Sequence, residues 1–236
     1  MSFFPGKDPA PGDARASDDV AVLDLKSSLA GHPPPAGAWA IEVDATDEIS
    51  VHHAFGMLGE RWSGLDGFVN AVGFLIALRP LAQTPTEDFD ITLNGNLRAA
   101  FVSCKAAMPL LEKGDAPSLV NIASGLGAFI RPQYGPYSAA KAGMIALTKT
   151  LALEHAPLVR ANTVAPGAVD TAFLRGGTGR SSGRNAPNID IAAYSAAIPL
   201  RRIAVPEDIV GPILFLLGPH SAYMTGQTLN ISGGIR

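Results

Sequence analysis

Tyr137 and Lys141 stand four residues apart in the run Tyr137-Ser138-Ala139-Ala140-Lys141, and Ser124 lies thirteen residues upstream. On a helix, residues at that spacing share one face. A cation beside a phenol favours the phenolate of a tyrosine, whose unperturbed pKa is about 10. A serine hydroxyl can share the same substrate oxygen. The three groups together suit the movement of a proton to or from a carbonyl or an alcohol near neutral pH. The pair alone is weakly specific, because a buried tyrosine beside a solvated helix lysine would carry the same letters. Its meaning depends on what surrounds it.

The composition frames a protein with room for a large core. Of 236 residues, 47% are hydrophobic and 17% charged, and the net charge is -3. That balance offers no basic surface for nucleic acid. The single Cys104 excludes an internal disulfide and fits a reducing compartment. Its neighbours Phe101, Val102, Ala106 and Ala107 predict a buried packing position. No apolar run reaches the length of a membrane span, and Met1-Ser2-Phe3-Phe4-Pro5 is too short for the apolar region of a signal peptide. The expectation is a cytoplasmic protein. Five scattered histidines, with His52 and His53 on different helix faces, match no metal spacing, so no metal site is expected.

The elements that must position the reactive residues alternate along the chain. Strands are predicted at Val20–Leu25, Trp39–Val43, Leu65–Val72, Ser118–Ile122, Arg160–Val164 and Thr228–Ile231. Helices are predicted at Ile49–Trp62, capped by Thr46 or Asp47, at Asp88–Leu111, at Pro136–Leu153 and at Pro206–Leu217. Continuous apolar strands between helices indicate an α/β fold, a doubly wound parallel sheet in a single domain. Gly176–Asn188 is a polar loop too long to be a passive connection. Arg175, Arg180 and Arg184 in that region suit either an anionic substrate or a solvated loop. Arg201-Arg202 ahead of Pro206-Glu207-Asp208 predicts a structural ion pair.

These features together resemble the short-chain dehydrogenase/reductase family, from about Val20 to the end of the chain. Ser124, Tyr137 and Lys141 match its catalytic triad, and Asn96, in Asn94-Gly95-Asn96-Leu97, matches the asparagine that completes a tetrad. Asn70-Ala71-Val72-Gly73 resembles the family's Asn-Asn-Ala-Gly turn. Pro166-Gly167, with Val169 and Thr171 following, resembles the loop that touches the nicotinamide. Thr225-Gly226-Gln227 with Gly233-Gly234 resembles its C-terminal signature, with Ser232 where an aspartate is usual. The resemblance implies a Rossmann-like fold and an oxidoreductase passing hydride between a nicotinamide cofactor and an alcohol/carbonyl pair. Tyr137 would be the general acid/base, and Ser124 would orient the substrate oxygen. Lys141 would tune Tyr137 and bond the cofactor ribose, and Asn96 would hold a relay water. Asn70, Ala71, Gly73, Pro166, Gly167, Val169 and Thr171 would lie along the cofactor. Asn70 equally suits its turn. Asp24, ending its strand, would accept the adenosine ribose and favour NAD(H) over NADP(H). Asp44 would lie beside the adenine, and either aspartate equally suits a hydrated strand end. The resemblance also implies a small-molecule substrate, a mobile substrate lid at about 172–200 and a homodimer or homotetramer.

One departure stands against this pattern. The family opens with a strand, a Thr-Gly-x-x-x-Gly-x-Gly loop and a helix whose N-terminus receives the cofactor pyrophosphate. Before Val20 this chain has glycine only at Gly6 and Gly12, among Pro5, Pro9 and Pro11. Residues 1–19 are expected to be an irregular segment, and the first β-α unit degenerate or missing. Two strands precede Leu65 where the family has three. Either the strand at Val20–Leu25 takes the central place, or the sheet closes up with a strand fewer. Losing the charge-assisted bonds to a pyrophosphate, each worth roughly 1.5–3 kcal/mol, weakens a dinucleotide by orders of magnitude. The sequence therefore leaves two further readings open. One is a cofactor-free isomerase, dehydratase, cyclase or lyase using Tyr137 and Ser124. The other is a non-catalytic or truncated relative.

Overall fold

The computed structural model describes residues 20–175 and 190–235. The expectations for residues 1–19, for Arg180 and Arg184 and for the whole loop at 176–188 lie outside those residues. The described elements run β1 Ala21–Asp24, α1 Lys26–Gly31, β2 Trp39–Glu42, α2 Glu48–Arg61, β3 Gly67–Asn70, α3 Thr86–Leu93, α4 Ala99–Leu111 and β4 Ser118–Ile122. They continue with α5 Gly135–Glu154, β5 Arg160–Pro166, α6 Ile191–Ala197, α7 Pro206–Leu217 and β6 Thr228–Ile231. Asp47 caps α2, its carboxylate accepting from the Ile49 amide. Between α3 and α4 the helix does not break; it widens into a π-helical turn at Asn94–Arg98. Such turns are rare and concentrate at functional sites.

Every strand pairing is parallel. β3-β4-β5-β6 form one sheet in that order and β1-β2 form a second. Successive residues of a strand point to opposite faces, and the packing follows. Leu119 of β4 and Ala161 of β5 join the core shared with α2, α4 and Ala152 of α5. Val120 and Val164 join the core under α7, through Ile209 and Leu216. Helices therefore cover both faces, as in a doubly wound Rossmann-like fold. Among the described residues, neither expected rearrangement of the sheet is seen. β1 has not moved to the centre, and the sheet has not closed up, for no described strand bonds β1 to β3. β1 is fixed by its pairing with β2, and β3 by its pairing with β4. A single core spans both sheets, including the edge-to-face contact of Phe55 with Phe68.

Two polar devices hold the frame. Arg202 pairs both oxygens of Asp208, at 2.5 and 2.8 Å, closing the first turn of α7. Arg160, at the start of β5, reaches the other end of that helix. Its guanidinium donates to the carbonyls of Leu216, Leu217, Gly218 and Ser221, taking up acceptors that a helix C-terminus leaves unpaired. Arg160→Met is therefore expected to destabilise the protein by about 2–3 kcal/mol, seen as a lower urea midpoint. Arg160→Lys should recover only part of it, because a point charge cannot serve a fan of carbonyls. An unchanged midpoint in the methionine variant would show that the cap is dispensable.

Candidate active site

Two elements deliver three side chains to one place, the turn after β4 carrying Ser124 and α5 carrying Tyr137 and Lys141. Ser124 follows the end of β4 and caps the short turn Gly125–Gly127, its Oγ accepting from the Leu126 amide at 3.2 Å. α5 begins at Gly135, with Pro136 in its first turn where a missing amide costs nothing. One turn apart on its inner face, Tyr137 and Lys141 are 7% and 3% exposed. The Lys141 Nζ donates to the carbonyls of Val72, at 3.2 Å, and Ile122, at 3.1 Å. It lies 5.7 Å from the centre of the Tyr137 ring.

The π-helical turn supplies the fourth member. Asn96 is wholly buried, and its amide nitrogen donates to the carbonyls of Phe74 and Thr92, both at 2.9 Å. Those two bonds fix which way the amide faces. They leave Oδ1 buried without a partner. Gly73 shows where that oxygen points. Its φ is +153°, and a Cβ there would sit 2.7 Å from Asn96 Oδ1 and 2.9 Å from Lys141 Nζ. Only glycine lets the backbone pass so close to both groups.

The electrostatics differ from the expectation of a cation easing the phenol. Burial pushes the Tyr137 hydroxyl well above its ordinary value, and a hydrogen bond with Ser124 pulls it only part of the way back. Burial also pushes Lys141 down, to about 7. Desolvation disfavours the charged form of each group, so both tend toward neutrality. The phenol thus retains its proton across the neutral range.

Above these residues opens a cavity of about 490 Å³. Ser124, Tyr137 and Lys141 line it, as do Ala71, Val72 and Gly73 on one side and Pro166, Gly167, Val169 and Thr171 on another. The Gly167 amide donates to Ile231, tying that loop to β6. Three expected cofactor residues lie elsewhere. Asn70 is wholly buried and braces β3 against α4, its nitrogen donating to the Ala100 carbonyl and toward Cys104. Asp24 accepts from the Leu25 amide. Asp44 accepts from both the amide and the hydroxyl of Thr46, beside a second, open cavity lined by Lys26 and Glu42. The sequence reading missed Arg131, Tyr134, Phe173 and Tyr194, which also line the first cavity. The available signal was the aromatic and cationic cluster just ahead of the Tyr137 helix.

The residues present fit one half of a nicotinamide dinucleotide. The cavity walls at Ala71, Val72 and Gly73 and at Pro166, Gly167, Val169 and Thr171 suit a nicotinamide riboside next to Lys141. No described segment offers the glycine-rich helix start that a pyrophosphate requires.

Known proteins share this fold and resemble this sequence. The family described as enoyl-(acyl carrier protein) reductase matches residues 17–236. An uncharacterized short-chain type dehydrogenase/reductase of Sinorhizobium fredii, y4vI, is 34% identical over 92% of this chain. The present chain spans only 37% of that protein's length. The 3-oxoacyl-(acyl-carrier-protein) reductase FabG of Thermotoga maritima is 31% identical over 82% of this chain and 75% of its own. The ligand-free aldohexose dehydrogenase of Thermoplasma acidophilum superposes with a TM-score of 0.79 at 26% identity, covering 91% of this chain and 83% of that one. These relatives are named as dehydrogenases or reductases. The chain belongs to the short-chain dehydrogenase/reductase family.

Proposed function

We propose that the protein interconverts an alcohol and a carbonyl with a nicotinamide dinucleotide, Tyr137 acting as general acid and base. The observation that carries this is the meeting of Ser124, from the turn after β4, with Tyr137 and Lys141 of α5 along the wall of one apolar cavity. In reduction, Tyr137 Oη gives its proton to the carbonyl oxygen while the Ser124 hydroxyl holds the same atom and steadies its growing charge. Lys141, poised near neutrality, takes or returns a proton behind the phenol. A water accepted by Asn96 Oδ1 would resupply that proton from solvent. A bound nicotinamide supplies or receives the hydride. Lys141, Ala71, Gly73, Pro166, Gly167, Val169 and Thr171 would hold it, with Asn70 keeping the turn in place. Asp24, at the end of β1, favours NAD(H) over NADP(H), since a carboxylate repels a ribose phosphate, and Asp44, just after β2, would lie beside the adenine.

Titration with NADH tests the cofactor directly. A saturable change in nucleotide fluorescence and a raised unfolding temperature are expected, with NADPH weaker. Neither effect at millimolar NADH would end the reading. One observation favours a second reading, proton transfer without nucleotide: glycine before Val20 occurs only at Gly6 and Gly12. Turnover that needs no added nucleotide and disappears in Tyr137→Phe would select it.

The same reading takes a small-molecule substrate, a lid at about 172–200, a cytoplasmic location and a homodimer or homotetramer. Phe101 on α4 and Leu153 on α5, 46% and 82% exposed, support self-association. Among the described residues, no helix is long and apolar enough to cross a membrane.

A further inference from the structure

Two charged side chains line the cavity above Tyr137, Lys141 and Arg131, and no described aspartate or glutamate does. Lys141 is answered by two carbonyls. Arg131 is not answered in that way. It is half-buried in the loop between the Gly125–Gly127 turn and α5. Its guanidinium carbon lies 5.2 Å from the centre of the Tyr194 ring, which comes from α6. Tyr134 also feels its charge, and among the described residues the Tyr194 ring is the one group stacked on it. A ring face orients a guanidinium without using its N–H groups, so the planar fork of donors remains available.

The surroundings indicate what would use that fork. The cavity wall is largely apolar, with Leu126, Phe129, Phe173 and Leu174 beside three tyrosines, Tyr134, Tyr137 and Tyr194. The loop also holds Gln133 at φ +73°, a conformation uncommon outside glycine. Two residues beyond Arg131, that backbone leads into Gly135 and the helix bearing Tyr137. The cation is thereby tied to the same element as the proposed acid. A fixed guanidinium facing an apolar chamber matches a carboxylate in shape and in charge. Among the described residues no second free cation lines the chamber, and one fork answers a monoanion better than a phosphate dianion.

We infer that Arg131, oriented by Tyr194, anchors a carboxylate on the substrate. The substrate class is then a hydroxy acid or keto acid whose reacting carbon and carboxylate are separated by an apolar stretch. The inference rests on the alcohol/carbonyl reading of the site, but its test does not need turnover. Hexanoate, 1-hexanol, hexylamine and hexyl phosphate are titrated against the full chain by calorimetry at pH 7.5. Hexanoate should bind about tenfold more tightly than 1-hexanol, and hexylamine more weakly than either. Arg131→Gln should erase the advantage of hexanoate and leave 1-hexanol unchanged, with unfolding temperature confirming the fold. Arg131→Lys should retain only part of the advantage, because it lacks the fork.

Equal binding of hexanoate and 1-hexanol, or an advantage that survives Arg131→Gln, would overturn the anchor. So would tighter binding of hexyl phosphate. The two readings fail separately. If hexanoate is held through Arg131 but no alcohol or carbonyl turns over with nucleotide, the redox reading fails and the anchor stands. If turnover is found and Arg131→Gln changes neither hexanoate affinity nor the preference for carboxylated substrates, the anchor alone fails.

Discussion

Tyr137→Phe is expected to lower kcat by about 10²–10⁴-fold, the range associated with loss of a positioned general acid. KM and the unfolding midpoint should change little. The substitution removes one oxygen and keeps the ring, so the contact with Phe173, centroids 6.2 Å apart, survives. Ser124 keeps its bond from the Leu126 amide and therefore its position. A loss confined to kcat identifies a group that acts in the transition state rather than in substrate binding. Single-turnover rates of both proteins measure it. Retention of more than a tenth of the activity would mean that the proton travels by another route, and the assignment of Tyr137 would be lost.

Much of the frame could be read in the letters because local rules and tertiary packing agree there. Ser118–Ile122, Pro206–Leu217 and Thr228–Ile231 begin and end where expected. Val120 and Leu119 are both buried, so the strand reads as a continuous apolar run. The helix predicted at Asp88–Leu111 failed in one informative respect. Nothing in Asn94-Gly95-Asn96-Leu97 announces a π-helical turn. It becomes apparent only when Asn96 reaches the Phe74 carbonyl across the fold and bonds Thr92 within its own helix. The division of the described strands into two sheets was equally hidden. Among the described residues, Leu23, Phe55, Phe68 and Leu111 share a core that joins those sheets, and packing over such distances is not written in any local run.

The candidate site was legible in its residue types and illegible in its electrostatics. Tyr137, Lys141, Ser124 and Asn96 were found by spacing and resemblance. Spacing also suggested an ammonium in water lowering the affinity of a phenol for its proton. Burial reverses that for both groups, and burial is a property of the assembled cavity, not of a five-residue run. Arg131 was missed for the complementary reason. A lone arginine beside Pro132 and Gln133 reads as solvated, and only the approach of Tyr194 from α6 distinguishes it.

Lys141→Met is expected to flatten a rise in stability that the wild-type protein shows between about pH 7 and pH 9. Lys141 has an ordinary pKa of 10.5 and a folded value of about 7. Between those values the unfolded chain holds a proton that the native state has released, so stability increases with pH. Below pH 7 both states are protonated, and the native state keeps an ammonium in a buried place, so the benefit is gone. The upper limit of the window comes from groups shifted the other way. Burial raises the Cys104 thiol from 9.0 to about 11, and Tyr137 is raised as well. Both hold protons in the native state that the unfolded chain loses, which lowers stability as the pH climbs further. Across the clear interval the gain is on the order of 2 kcal/mol, since one pKa unit is about 1.4 kcal/mol. Urea midpoints at pH 7 and pH 9 measure it, and equal gains in wild type and Lys141→Met would show that Lys141 remains charged when buried. The same variant should lose most of its turnover while keeping its fold. A thioether can fill the space but can neither donate to the Val72 and Ile122 carbonyls nor pass a proton toward Asn96. That combination, activity lost and the pH slope removed, ties the low proton affinity of Lys141 to the chemistry at Tyr137, because a merely structural lysine would move only the slope.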